Sequence, residues 1–91
     1  MKQKQTRERI AQVDAVLWEV WDPIGVNYEP QTRDEYTSYA PEILELLDSG
    51  ASDAVLEQHL TSIVLEQMGM TWSNPERTRR TIAALRALDG R

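Results

Sequence analysis

The chain of 91 residues reads as an all-α protein, a small bundle of four helices. Three observations predict this. Apolar residues recur at spacings of three and four through four separate windows, as one face of a helix requires. Each window is flanked by helix start or stop signals. No run of residues alternates apolar and polar with the β-branched enrichment of a strand. There is no internal repeat and no low-complexity segment, so residues 1–91 read as a single domain with 1–6 expected to fray. A domain of this length buries roughly 60 to 65% of its unfolded surface, enough for one core.

The first helix is predicted over residues 7–21, where Ile10, Val13, Leu17, Val20 and Trp21 form the apolar stripe and Thr6 is placed to cap the start. Asp14 lies near the middle of that stripe, which suits a hydrogen bond to backbone or to another helix, and Trp18 lies at its edge. Pro23 should end the helix at Trp21 or Asp22, since it has no N–H and disfavours the α conformation in the residue before it. Gly25 then allows positive φ, and Pro30 marks a second break.

The second helix is predicted to open at "TRDE", with Thr32 as N-cap and Glu35 at capping-box distance, and Asp34 favoured by the helix dipole. Tyr36, Tyr39, Ile43, Leu46 and Leu47 keep one helical phase to Gly50, a suitable C-cap. Pro41 interrupts this run, so the helix is either kinked there or split, with Pro41 in the first turn of the second piece. The phase that survives across Pro41 favours the kink. The third helix starts with Ser52 as cap, buries Leu56, Leu60, Ile63 and Val64, and stops at Gly69. The fourth is expected to use Ser73 as N-cap with Glu76 at capping-box spacing, Pro75 in its first turn, and Ile82, Leu85 and Leu88 inward until Gly90.

The net charge of −5 hides a pattern. Residues 1–9 and residues 75–91 each carry +3, while residues 10–74 carry −11, with Arg33 as their one cation. Basic ends folded against an acidic middle would form solvated pairs worth about 0 to 1 kcal/mol each. The alternative is an acidic surface kept for a basic partner, since complementary fields speed association and select partners.

The stretch "WDPIGVNYEPQTRDEYTSY", residues 21–39, holds all three tyrosines in what reads largely as a connection. An irregular link longer than the median must be held down. Trp21, Ile24, Val26 and Tyr28 are candidates for an apolar plug over one end of the bundle, with Asp22 turning the chain through an Asx-type hydrogen bond. The structural set is therefore Trp21, Asp22, Pro23, Ile24 and Gly25. The candidate binding set is Tyr28, Asp34, Glu35, Tyr36 and Tyr39, because tyrosine brings a large rigid area with a polar tip to interfaces.

These residues carry a resemblance. "EVWDPIGV", followed by "DEYTSYAPEILELL" and then by "GAS" and "HL", resembles a family of short, all-helical bacterial proteins catalogued as a domain of unknown function. The likeness covers residues 17–70; Trp21, Asp22, Pro23 and Gly25 match its first signature, and Asp34, Glu35, Tyr36 and Tyr39 its second. The resemblance implies an intracellular bacterial protein with a helical fold, and it supplies no activity.

The chemistry of an enzyme is poorly represented. There is no cysteine, so no disulfide, thiolate metal site or thiol nucleophile can form. His59 is the one histidine, and no G-x-S-x-G nucleophile signature accompanies it. Neither Glu57 nor Glu66 is three or four residues from it, the spacing that would place two metal ligands side by side on a helix. Asp22, Asp34 and Glu35 fit capping better than acid–base work. Four glycines form no phosphate-cradling loop. The first ten residues lack a signal-peptide apolar run, and no window reaches the ~18 apolar residues of a membrane span, so a cytoplasmic protein is expected. Arg77, Arg79, Arg80 and Arg86 give residues 75–88 a basic side, which makes nucleic acid an alternative partner, but a sequence pI near 4.8 opposes it. The reading expected is a non-enzymatic protein-binding module without cofactor or metal, in concrete form an immunity- or antitoxin-like protein masking a basic partner; an orphan accessory protein is the remaining alternative.

Overall fold

A computed structural model describes residues 2–23, 25 and 30–88. The described residues form an all-α bundle with no strand among them. Helix α1 spans Lys2–Val16 and runs straight into a wide, π-type turn over Leu17–Trp21; α2 is Ala40–Asp48; α3 is Asp53–Ser62, followed by a second π-type turn over Ile63–Gln67; α4 is Pro75–Ala87. Helix α1 packs against α2 and α4, its terminal wide turn lies on α4, and α3 packs on the other part of α4. One core results, drawn from Val13, Leu17 and Trp21, from Ile43 and Leu44, from Leu56, Leu60 and Ile63, and from Ile82 and Leu85.

The start of α1 differs from the sequence expectation. Helical backbone extends from Lys2, so Thr6 sits inside the helix rather than capping it. The residues before Thr6, alternating Lys and Gln, are good helix formers, and propagation through them costs little once the following turns are fixed by packing. At its other end the helix widens: the Asp22 amide donates to the Leu17 carbonyl, five residues back, at 2.9 Å. Asp22 then adopts φ 31°, ψ 60°, a left-handed conformation that aspartate tolerates better than most residues. Its own carbonyl accepts from the Gly25 amide at 3.1 Å, closing a four-residue turn around Pro23, and Gly25 takes φ +79°.

The second helix is split, not kinked. Residues 30–39 make two short 3-10 turns, Pro30–Thr32 and Thr37–Tyr39, separated by turns, and α2 begins only at Ala40 with Pro41 in its first turn. Thr32 and Glu35 therefore do not box the start of an α-helix; the Glu35 amide donates to the Thr32 carbonyl at 2.9 Å within a tight turn. Proline explains the result: it lacks an N–H and clashes with the carbonyl four residues earlier, so the first helical turn is its natural position. The later start changes which residues face inward. Ala40, Ile43 and Leu44 are buried, while Leu46 and Leu47 lie only at the margin of the core.

Gly50 ends α2 as expected, at φ +81°, with its amide on the Leu47 carbonyl at 3.2 Å and the Ala51 amide on the Leu46 carbonyl at 3.0 Å, the paired bonds of a Schellman cap. Ser52 caps α3, its hydroxyl accepting from the Val55 amide at 3.2 Å. The cap of α4 is Asn74 rather than Ser73: the Asn74 side chain accepts from the Arg77 amide at 3.1 Å. Pro75 then occupies the first helical position, which moves the cap one residue later than a Ser73–Glu76 box would allow. Two threonines, Thr78 and Thr81, complete the buried face of α4 by returning their hydroxyl protons to carbonyls four residues back, Asn74 at 3.0 Å and Arg77 at 2.8 Å. Gly90, expected to stop this helix, lies outside the described residues.

Candidate functional site

The aromatic stretch that links α1 to α2 is a packed knot. Trp21 is 2% exposed and Tyr36 0%, with their rings 5.5 Å apart and tilted; Trp18 approaches Tyr36 from the other side at 6.4 Å, and Tyr39 meets Trp21 edge-on at 6.3 Å. The Tyr36 hydroxyl donates to the Asp22 carboxylate at 2.7 Å, a buried bond that satisfies the polar tip of a fully enclosed ring. Outside the knot, Arg33 stacks over the Trp18 ring at 5.3 Å and donates to Asp14 at 3.0 Å, while the Thr37 hydroxyl donates to the other oxygen of Asp14 at 3.2 Å. Asp14 thus ties the connection to α1, through side chains of the connection itself rather than through backbone or another α-helix as its position suggested.

The candidate binding set divides accordingly. Tyr36 is not a surface residue, because its ring fills the space beside Trp21 and its hydroxyl is committed to Asp22. Tyr39 is half-buried, and Asp34 and Glu35 are exposed. Tyr28, Ile24 and Val26 lie outside the described residues. On α2, Glu42 and Glu45 share an exposed face; neither they nor Asp34 and Glu35 make an ion pair among the described residues.

A second constellation was not legible as a site in the sequence. A cleft of about 280 Å³ opens between the two wide turns and the beginning of α4. Trp21, Pro23, Val64, Met70 and Trp72 supply apolar surface, and Ser73, Asn74, Arg77 and Thr78 the polar side. Trp72 is 66% exposed, in contrast to every other large aromatic side chain described. The signal available in the sequence was a tryptophan between two polar residues in the short link from Gly69 to Pro75, where no helical stripe explains it. A second, more polar hollow of about 510 Å³ adjoins Arg77 and is bordered by Glu19, Val20, Asp22, Gly25 and Arg80.

The arginines are not a uniform basic face. Arg9 clamps Asp48 through two bonds, at 2.5 and 3.0 Å, and Arg86 pairs with Asp53 at 2.6 Å and also donates to the Ala51 carbonyl. The basic outer segments are in this way tied to the acidic middle, as the simpler reading of the charge pattern expected. His59 is half-buried, and its Nε2 is enclosed without a hydrogen-bond partner. Among the described residues no group of three or more His, Asp or Glu side chains converges as a metal site would require, and no helix is long and apolar enough to cross a membrane. Comparison of the chain with protein-family models, with curated proteins and with solved structures gives no match.

Proposed function

We propose that the protein is a non-enzymatic binding module that recognises a protein partner with a basic surface, in the manner of an immunity protein or antitoxin, in the bacterial cytoplasm. The observation that carries this reading is that four exposed carboxylates between residues 34 and 45, Asp34, Glu35, Glu42 and Glu45, make no ion pair within the described chain although Arg9, Arg33 and Arg86 each have an aspartate. Unpaired like charges along one segment cost folding energy through self-repulsion and are useful where an opposite field is to be met. The half-buried Tyr39 lies among these carboxylates in sequence and offers an aromatic edge to the same partner. A nucleic-acid partner is less favoured, because Arg86 is engaged with Asp53 and only Arg79 and Arg80 stand exposed on α4 without an ion pair.

The test uses the protein as bait in extracts of the cells that make it, at low salt and at 0.5 M salt, beside a Glu42→Lys/Glu45→Lys variant. A basic protein retained by the native chain, and lost both at high salt and with the variant, is the expected outcome. Retention of the same partner by the charge-reversed variant would remove these carboxylates from the reading, and retention of nucleic acid in place of protein would replace it.

A further inference from the structure

Three arginines among the described residues are half-buried: Arg9, Arg77 and Arg86. Two of them have a carboxylate, Asp48 for Arg9 and Asp53 for Arg86. Arg77 has none among the described residues. Its guanidinium donates to the backbone carbonyl of Asp22 at 3.3 Å and, among the described residues, to nothing else, although five N–H donors are available on that group. Glu19 borders the neighbouring hollow and forms no ion pair with Arg77 among the described residues, and the Asp22 carboxylate accepts from Tyr36. A partly desolvated cation without a counter-ion is unfavourable in a chain with excess carboxylates, and a ligand anion would relieve it.

Arg77 stands in the wall of the cleft that Trp72 borders, and it is the one charged side chain among the described lining residues. The remaining wall is suited to a flat apolar body: Trp72 presents an exposed ring face, Met70 a polarisable thioether and Pro23 aliphatic carbon, over a floor of the buried Trp21 and Val64. At about 280 Å³ the cleft is near the lower end of small-molecule sites, which run from roughly 300 to 1,000 Å³. That size accommodates one or two rings. We propose that this cleft binds a small aromatic carboxylate, with the ring against the exposed face of Trp72 and the carboxylate on the open donors of Arg77. The site is separate from the exposed carboxylates of residues 34–45, so each reading can fail alone.

The experiment is a titration of the isotopically labelled protein with 1-naphthoate, followed by NMR at the indole N–H signals of Trp21 and Trp72, with 1-naphthamide and inorganic phosphate as comparison ligands. Naphthoate is expected to shift the Trp72 signal saturably, with about tenfold higher affinity than the uncharged amide. Phosphate, which has the charge without the ring, should be weak. Arg77→Gln should bring the acid down to the affinity of the amide, and Trp72→Ala should weaken both. Equal binding of acid and amide by the native protein, or no saturable shift with either, overturns the proposal even if the Arg77 variant fails to fold.

Discussion

Trp21 and Trp72 line the same cleft and occupy opposite environments. Trp21 is 2% exposed, the last residue of the wide turn that ends α1, and held by Tyr36 and Tyr39. Trp72 is 66% exposed, in the link between the second wide turn and α4, with no aromatic ring against it among the described residues. The difference lies in what each residue's neighbours can offer. Trp21 follows Leu17 by one helical turn, so burying the helix stripe carries its ring inward. Trp72 follows Gly69 and precedes the cap of α4, where no helical stripe carries its ring inward. A large aromatic is then a folding element in one position and, under the ligand proposal, a binding element in the other.

The contrast can be broken most directly at Trp21. Trp21→Ala removes a ring that meets Tyr36, Tyr39 and the α4 side of the core, and chemical denaturation should show a loss of about 3 to 5 kcal/mol. For a domain whose whole stability is of order 5 to 10 kcal/mol, that loss approaches unfolding. A loss under ~1 kcal/mol would mean that the knot is not what holds the connection between α1 and α2.

A finer cut tests the polar centre of the knot. Tyr36→Phe keeps the ring and deletes the hydroxyl that donates to Asp22 at 2.7 Å, depriving a buried carboxylate of a donor. The expected cost is about 1 to 3 kcal/mol. Asp22→Asn, which keeps an acceptor oxygen for the hydroxyl, should cost less than Tyr36→Phe if the bond rather than the charge matters. The reverse order would assign the carboxylate's importance to its other neighbours.

Much of this was readable from the sequence, for reasons that differ by residue. Leu56, Leu60, Ile82 and Leu85 repeat at helical spacing, and burial follows from periodicity. Ser52 and Gly50 act through short-range hydrogen bonds that any chain with those residues at those places can make. The start of α2 was misjudged because two local signals competed: the Thr32 and Glu35 spacing of a capping box, and Pro41, whose steric demand decided the outcome. Ser73 lost the capping role to Asn74 because both are good caps and Pro75 fixed the register. Tyr36 looked like a recognition residue because sequence alone cannot show that Asp22, fourteen positions earlier, is there to receive its hydroxyl. The isolation of Arg77 was invisible for the same reason: a missing counter-ion is a fact of three-dimensional neighbourhood, while in the sequence Arg77 is one of four similar arginines on α4.

The smallest expected effect on stability is the most informative about the comparison. Trp72→Ala removes as many atoms as Trp21→Ala, yet two thirds of the Trp72 side is already in water, and its loss opens little new cavity. Exposed positions of this kind change stability by no more than about 0.5 kcal/mol, so the denaturation midpoint should stay close to that of the native chain while ligand or partner binding at the cleft falls. If the variant instead loses 2 kcal/mol or more, about what a buried large side chain costs, Trp72 is part of the core. The contrast between the two tryptophans would then vanish, and the cleft would be a seam in the packing rather than a place where something docks.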